Sequence, residues 1–307
     1  MIVVTGSNGY IGSKLRKFLK EKGSEYAVVL RNKTDLIEGE ALSCQLNDKA
    51  RLRDLMCQTK TLVHCAGLAH QSSTSRMPVS TYFEANADFA ERIATLASES
   101  GVRRFIMLSS VAALGRTTGS SKFDEQTVPK PEGAYGESKL QGEIKIREIC
   151  RASDMDYVIL RPPMVYGVGA PGNFERMTRF IKKGIPLPFG AIKNKRSFLS
   201  INNLIDFIWH CHLAKKSLAR TYLVSDNHPL STAEFLREVI RFYRSKSKLF
   251  KFPPFCTRRL LELLGYKASA ESLFDNLVLD NQPARQELQW NPKNGVFENL
   301  CSSYEEV

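Results

Sequence analysis

The chain has 307 residues, 43% of them hydrophobic and 25% charged, the composition of a globular protein with ample surface to bury one large core or two unequal ones. No apolar run approaches the roughly 20 residues of a membrane-spanning helix, the opening Met1-Ile2-Val3-Val4-Thr5 reads as a strand with no signal-peptide features, and seven cysteines without a C-x-x-C pair argue against a disulfide framework or metal site and point to a reducing cytoplasm. The formal net charge of +12 leaves three classes of partner open: nucleic acid, an anionic membrane surface, or a phosphate-bearing small molecule.

The first strand, 2–5, is apolar and runs into Thr5-Gly6-Ser7-Asn8-Gly9-Tyr10-Ile11-Gly12. An amphipathic helix, 10–22, follows with Leu15, Phe18 and Leu19 on one face. A glycine triplet alone is a weak signal. Between a strand and a helix it reads as a dinucleotide-binding loop: Gly6 for the tight turn, Gly9 for approach to a pyrophosphate, Gly12 for close helix–strand packing, and the helix N-terminal N–H groups for the phosphates. The second strand, 26–31, ends Val28-Val29-Leu30-Arg31-Asn32-Lys33. No acid stands where NAD enzymes place one for the ribose hydroxyls. Arg31 and Lys33 instead suit the 2′-phosphate of NADP, so NADP(H) is the favoured cofactor. NAD(H), with Asp35 on the ribose, is the alternative.

Further strands at 41–44, 61–65, 105–109 and 157–161 alternate with helices at 48–56, 82–100 and 135–153. Most strands are continuous Val, Ile and Leu runs, as in a sheet covered on both faces, and the alternation predicts an α/β fold with a doubly wound parallel sheet. Strand 105–109 ends in Ser109-Ser110, at the edge where an open parallel sheet presents its ligand; a turn serine is the plain alternative. Tyr135-Gly136-Glu137-Ser138-Lys139 sets tyrosine and lysine a turn apart on one helix face. A lysine ammonium there favours phenolate and lowers the phenol's pKa from about 10, which suits alcohol–ketone chemistry. The same spacing recurs at Tyr10 and Lys14 inside the glycine loop, where it carries no such meaning, so location decides.

After Arg161 the texture changes. Pro162-Pro163, Gly167, Gly169, Pro171-Gly172 and Pro186-Leu187-Pro188 break the rhythm, with helices expected near 174–183, 203–215 and 233–244. The expected division is a dinucleotide-binding region over 1–165, joined by part of 197–225, and a mainly substrate-binding region over 166–307. The densest basic stretch, 237–259, holds Arg237, Arg241, Arg244, Lys246, Lys248, Lys251, Arg258 and Arg259 with Phe and Tyr between them. A solvated helix face is its simpler reading and a peripheral membrane contact the sharper one. No nucleic-acid motif is present, and no nucleic-acid partner is expected.

Six segments, T-G-S-N-G-Y-I-G (5–12), V-H-C-A-G (63–67), L-S-S-V-A-A-L-G (108–115), Y-G-E-S-K (135–139), L-R-P-P-M-V-Y-G (160–167) and R-S-F-L-S-I-N-N-L (196–204), stand in the order and spacing of a known pattern. Together they resemble the extended short-chain dehydrogenase/reductase family in its epimerase/dehydratase branch, and R-Q-E-L-Q-W-N-P (285–292) resembles that branch's C-terminal signature. The resemblance implies a Rossmann sheet with a smaller C-terminal substrate-binding region. It implies that Tyr135 gives or takes the proton at the substrate oxygen, that Ser110 orients that oxygen, and that Lys139 binds the nicotinamide ribose and tunes Tyr135. Gly6, Ser7, Asn8, Gly9, Tyr10, Ile11, Gly12, Gln45, Leu46, Cys65, Ala66, Gly67, Leu108 and Pro162 would line the cofactor, with Asn86 supporting the site. Met164, Asn173 and Arg196 would join Ser110 in contacting the substrate. The Arg196 guanidinium would grip the diphosphate of a nucleotide sugar.

Four positions depart from the family pattern: Gln45 replaces an acid (Asp48 follows), Met164 replaces the Asn of hexose 4-epimerases, Asn203 an Asp, and Leu114 an aromatic before Gly115. Within the branch, R-P-P-M-V-Y-G, P-L-P-F-G-A (186–191) and K-R-S-F resemble nucleotide-sugar enzymes of bacterial surface-polysaccharide pathways. The expected reaction is NADPH-dependent reduction at C4 of a UDP-4-keto-6-deoxy-hexosamine, favoured by Arg31 and Met164. A UDP-hexose 4-epimerase with tightly bound NAD is the alternative. A non-catalytic NADP-sensing module is the alternative of another class, against which the intact Ser110, Tyr135 and Lys139 argue. The resemblance also implies a homodimer through helices 82–100 and 135–153.

Overall fold

The computed structural model describes residues 1–30, 43–68, 77–293 and 295–305. In chain order the elements are β1 (Ile2–Thr5), α1 (Tyr10–Glu21), β2 (Tyr26–Leu30), β3 (Ser43–Gln45), α2 (Lys49–Cys57), β4 (Thr61–His64), α3 (Val79–Phe83), α4 (Phe89–Glu99), β5 (Arg104–Leu108), α5 (Gly133–Arg151) and β6 (Asp156–Arg161). They continue with β7 (Met164–Tyr166), α6 (Asn173–Lys182), β8 (Phe198–Ser200), α7 (Ile201–Leu213), β9 (Ala219–Leu223), α8 (Thr232–Phe242), α9 (Pro254–Leu263), α10 (Lys267–Phe274), α11 (Gln282–Leu288) and α12 (Val296–Glu305). No helix among the described residues is long and apolar enough to cross a membrane.

The chain divides into two compact units. The first comprises Met1–Ala113, Pro129–Arg161 and Ile205–Tyr222, and the second Leu114–Val128, Pro162–Leu204 and Leu223–Val307. In the first, the large sheet has the order β3-β2-β1-β4-β5-β6-β9, and β1 to β6 run parallel to their neighbours. This is the doubly wound sheet that the alternation of strands and helices predicts. Every residue of β1, β4 and β5 is buried, because helices cover the sheet. Val3, Leu62, Met107 and Ile159 pack with Ala90, Ile93 and Ala97 of α4 and Ile146 of α5. The strand order turns back between β1 and β4, which is where such sheets open a ligand crevice at their carboxyl ends. A buried pair, Arg104 and Asp156 at 2.8 Å, ties α7 to this sheet. Its guanidinium also donates to the carbonyls of Cys211, in the last turn of α7, and of Ala214 and Lys216 just beyond it.

The second unit holds a small parallel sheet, β7 beside β8. Its core is aromatic: Tyr166, Phe174, Phe198 and Phe235 meet, with Phe198 and Phe235 stacked at 4.1 Å. A half-buried carboxylate, Asp226, accepts from the Tyr166 hydroxyl (2.8 Å), the Asn203 amide (2.6 Å) and the Ser200 N–H (3.2 Å). This explains Asn203. The group facing it is already a carboxylate, so an amide donor fits where a second acid would repel.

Three expectations change. The single helix expected over 82–100 is α3 and α4 joined by a π-helical turn, Glu84–Asp88, whose wider turn accompanies an inward-facing, buried Asn86. The strand expected over 41–44 continues to Gln45, its residues 41–42 lying outside the described residues, and the Leu46 N–H bonds the Leu30 carbonyl. Leu114–Val128, which the sequence groups with the dinucleotide-binding region, belongs to the second unit, because Thr118 and Phe123 pair through their backbones with Asn276 and Val278.

Candidate active site

The glycine loop closes as its sequence demands. Gly6 takes φ +68°, a conformation that side chains disfavour, and a Cβ there would lie 2.4 Å from the Ala66 nitrogen. A Cβ at Gly12 would meet the Gly6 carbonyl oxygen at 2.3 Å, so α1 packs directly on the loop. Gly9 differs: a Cβ there meets only the Gly6 oxygen, at 3.3 Å, and otherwise faces open space. Gly9 stands just before α1 with no side chain capping the helix and no acid in its first turn. The Ser7 hydroxyl is buried and has no hydrogen-bond partner among the described residues. A backbone cradle with room at Gly9, an orphaned hydroxyl and an uncapped helix start fit a pyrophosphate. Asn8, Tyr10 and Ile11 complete the loop and the first turn of α1.

Gln45 and Leu46 lie half-buried at the carboxyl end of β3. The acid three residues on does not replace the missing one, since the Asp48 carboxylate accepts from the Arg51 N–H and caps α2. Arg31 and Lys33, on which the NADP expectation rests, lie outside the described residues, as does Asp35.

At the carboxyl ends of β4 and β5 the reacting set comes together. Ser110 hydrogen-bonds the phenol of Tyr135, and its oxygen also accepts from the Ala112 N–H at 3.1 Å. Tyr135 is half-buried in the first turn of α5, and one turn later Lys139 is fully buried. The Lys139 ammonium donates to the Leu108 carbonyl at 2.9 Å and sits against the loop after β4, where a Cβ at Gly67 would lie 2.9 Å from Nζ. The helix approaches this closely because Gly142 has no side chain: a Cβ there would strike the Asn86 carbonyl oxygen at 2.5 Å. Asn86 then locks the assembly. Its oxygen accepts from the Leu68 N–H (2.9 Å), and its amide donates to the Leu68 carbonyl (3.1 Å) and to the Ser138 hydroxyl (3.0 Å). Cys65, Ala66 and Gly67 thus lie between the glycine loop and Lys139.

The charges follow from burial. Loss of water pushes the Lys139 ammonium down to about 8, against the upward pull of Cys65 and Glu143. Burial also drives the Cys65 thiol up to about 12, well out of nucleophilic range. It raises the Tyr135 phenol as well, and the Ser110 hydrogen bond only partly offsets the rise. The net shift is therefore opposite to the lowering expected from the lysine, because desolvation of the phenol wins. The phenol is protonated at neutral pH.

Two groups that sequence reasoning missed stand behind this set. Glu143, one turn beyond Lys139, is fully buried and binds the Ser109 hydroxyl (2.5 Å), Arg161 (2.9 and 2.5 Å) and Arg147 (2.7 Å). It pins α5 to the ends of β5 and β6. The available signal was the ladder Lys139-Glu143-Arg147 at four-residue steps, which on a helix puts the acid between two cations. His64, at the end of β4, bonds the Thr5 hydroxyl (2.8 Å) and stacks on Phe105. Burial holds it down to about 3, with Lys139 adding to the effect, so it is a neutral ring in the sheet.

Pro162, Met164, Asn173 and Arg196 belong to the second unit. Pro162 is buried just after β6, and Met164 is half-buried at the start of β7. Asn173, exposed at the start of α6, donates to the Ser272 hydroxyl at 3.3 Å. Arg196 is buried, with Nη1 donating to the Asp275 carbonyl (2.7 Å) at the end of α10. Burial lowers it to about 10, which leaves the guanidinium charged. Asn173 and Arg196 thus share α10 as a neighbour, joined there by Arg116, 3.2 Å from Glu271; the sequence reading did not single out Arg116.

Residues 2–224 match the model of the NAD dependent epimerase/dehydratase family. A Vibrio cholerae protein named UDP-glucose 4-epimerase is 35% identical over 305 residues, 97% of this chain and 93% of the relative. The fold is that of UDP-glucuronic acid 4-epimerase from Bacillus cereus, solved with NAD (TM-score 0.76, 20% identity, 99% of this chain and 97% of that one). It is equally that of UDP-glucose 4-epimerase from Thermotoga maritima, solved with UDP-glucose (TM-score 0.76, 20% identity, 99% and 97%). A family match over most of the chain and a near-full-length relative above 30% identity lead to one conclusion: the chain belongs to the NAD-dependent epimerase/dehydratase family of enzymes.

Proposed function

We propose that the protein catalyses oxidation and reduction at C4 of a UDP-activated hexose or hexosamine, with the first unit binding the dinucleotide and residues of the second binding the substrate. The observation that carries this reading is the Ser110–Tyr135 hydrogen bond beside the buried Lys139 ammonium, at the carboxyl edge of the sheet. The nicotinamide, when bound, takes up or delivers hydride at the sugar carbon and in its oxidised form carries a positive charge. Tyr135, protonated at neutral pH, supplies the proton to a C4 ketone oxygen and recovers it in the reverse direction. Ser110 holds that oxygen in line. Lys139, anchored on the Leu108 carbonyl, offers its remaining N–H bonds to the ribose hydroxyls. Asn86 keeps the loop of Cys65, Ala66 and Gly67 against the lysine, and the Ser7 hydroxyl with the N–H groups around Gly9 receives the pyrophosphate. Arg196 is the proposed diphosphate contact, and Met164 and Asn173 flank the sugar.

Two outcomes use the same residues. Reversible 4-epimerisation with retained NAD is supported by the Vibrio relative, which resembles this chain over nearly its whole length. Net reduction of a UDP-4-keto-6-deoxy-hexosamine with NADPH is favoured by Met164, which lacks the polar contact of hexose epimerases, and by Arg31 and Lys33. Under either reading the proposed location is the cytoplasm. The distinguishing test supplies purified protein with UDP-glucose, UDP-N-acetylglucosamine and a UDP-4-keto-6-deoxy-hexosamine, with and without NADH or NADPH. Interconversion of 4-epimers without consumption of added cofactor supports the epimerase. Stoichiometric NADPH oxidation by the keto-sugar alone supports the reductase. No C4 chemistry on any of the three contradicts the proposal.

A further inference from the structure

The basic stretch at 237–259 is not merely a solvated face. Helices of the second unit such as α8 bury their apolar positions, Phe235, Leu236 and Val239. The helix α9 does the reverse. Its inward side is Thr257, which is buried, and Arg258, which binds Glu262 (2.8 Å) and Asp275 (2.5 Å). Its outward side carries Cys256, Leu260, Leu263 and Leu264, the i, i+4, i+7, i+8 stripe that ordinarily faces a core. Leu263 is 85% exposed, Leu264 61% and Phe255 68%. Phe250 and Phe252, just before the helix, and Tyr266, just after it, are exposed too. The segment leading in is held in place: the Leu187 N–H bonds the Lys248 carbonyl and the Phe250 N–H bonds the Leu187 carbonyl. An exposed apolar cluster of this size marks a contact surface.

Charge selects the partner. From Arg244 to Lys267 the chain carries Arg244, Lys246, Lys248, Lys251, Arg258, Arg259 and Lys267 against a single acid, Glu262. That surplus of six is half of the protein's net +12, in 24 residues. The one acid is engaged by Arg258 and by Arg259, while Lys246, Lys248 and Lys251 are exposed. Arg259 lies 5.5 Å from the Phe255 ring, so the apolar and cationic surfaces interleave. Large apolar side chains at the tip of an element with lysine and arginine around them match the interface of an anionic bilayer. The aromatic and leucine side chains enter the acyl boundary, and the cations meet the phosphates.

We infer that α9 and the preceding Lys248–Phe252 segment form a docking surface for anionic phospholipid, holding the enzyme on a membrane face without spanning it. The inference does not depend on which sugar is turned over. It is tested by sedimenting the full chain with vesicles of phosphatidylcholine alone and of phosphatidylcholine containing about one-third phosphatidylglycerol. Binding to the mixed vesicles, reduced by salt and weak on phosphatidylcholine alone, is expected. Exchange of both lysines in Lys248→Glu/Lys251→Glu should weaken binding by at least about thirtyfold. Leu263→Glu should weaken it about tenfold. Each variant should keep the wild-type melting temperature and its turnover of a soluble nucleotide sugar, which separates loss of docking from loss of folding or of the proposed activity. Failure of the wild-type protein to bind mixed vesicles at low salt would overturn the inference, as would binding that both variants retain. A wild-type dimer that Leu263→Glu converts to monomer, with no vesicle binding, would identify the surface as a contact between copies and equally overturn it.

Discussion

In the first unit the lysine assigned to chemistry lies beside a buried network of charges; in the second, the polar groups assigned to substrate are held by neutral partners, a backbone carbonyl and a serine hydroxyl. Lys139 lies one helical turn from Glu143, and Glu143 in turn binds two arginines and a serine. Arg196 leans on a carbonyl at the end of α10, and Asn173 on a surface serine. A charge network of the first kind costs stability and is tolerated only where geometry matters more. Neutral partners fix a side chain less tightly than paired charges do, and the exposed Asn173 is free to change. The difference teaches where the chemistry is fixed and where specificity is free to vary. Mutations should therefore separate the two units.

The largest effect is expected at Tyr135. Tyr135→Phe should lower turnover about a thousandfold or more while leaving dinucleotide affinity nearly unchanged, read by steady-state rates and by fluorescence titration with NADH. Glu143→Ala leaves the buried Arg161 guanidinium and the Ser109 hydroxyl without their partner and takes one of two partners from the half-buried Arg147, and should cost about 3–5 kcal/mol in denaturant unfolding. If the loss is under about 1 kcal/mol, the network is not what holds α5, and the contrast between the units fails.

Lys139→Met should show function and stability pulling apart. Turnover should fall about a hundredfold, yet the apo-protein should gain about 1–2 kcal/mol, because an ammonium is removed from a buried site. The pH dependence has a definite sign. The folded pKa of about 8 lies below the ordinary lysine value of 10.5, so the folded protein sheds this proton first. Between those values the unfolded chain binds more protons, and wild-type stability rises with pH. Below about 8 the burial penalty is felt in full. This rise should vanish in Lys139→Met, and wild-type activity that needs the ammonium should decline as pH passes about 8. The smallest effect is expected in the second unit. Arg196→Lys should raise KM for a UDP-sugar about tenfold with little change in kcat, since a point charge replaces a fork. An unchanged KM with a lowered melting temperature would make Arg196 a purely structural residue.

How much of this could be read from the sequence depended on periodicity. The strands β1, β2, β4, β5 and β6 announce themselves as short apolar runs, and Tyr135 with Lys139 by its place on the helix before β6. The π-helical turn at Glu84–Asp88 left no trace, because one extra residue in a turn shifts the pattern by less than its own noise, although it surrounds Asn86. Glu143 shows in the sequence only as the middle of a Lys139-Glu143-Arg147 ladder, which an exposed helix face carries as readily as a buried one. The strands β7 and β8 span three residues each, too short to show alternation. The helix α9 was missed for the opposite reason: its leucine stripe is plain, but it lies in a stretch read by its charge. The sheet was thus the readable part, and the polar groups that lock α5 to it were not.

The most direct test gives the protein a UDP-4-keto-6-deoxy-hexosamine and reduced nicotinamide cofactor carrying deuterium at the reactive ring carbon, and locates the label in the sugar by NMR. If the enzyme is a reductase, the account predicts deuterium at C4 of the product with wild-type protein and none with Tyr135→Phe; if it is an epimerase with retained NAD, a UDP-hexose carrying deuterium at C4 should give its 4-epimer with the label still at C4, again only with wild-type protein. Deuterium at another carbon, or labelling at C4 undiminished in Tyr135→Phe, would contradict it.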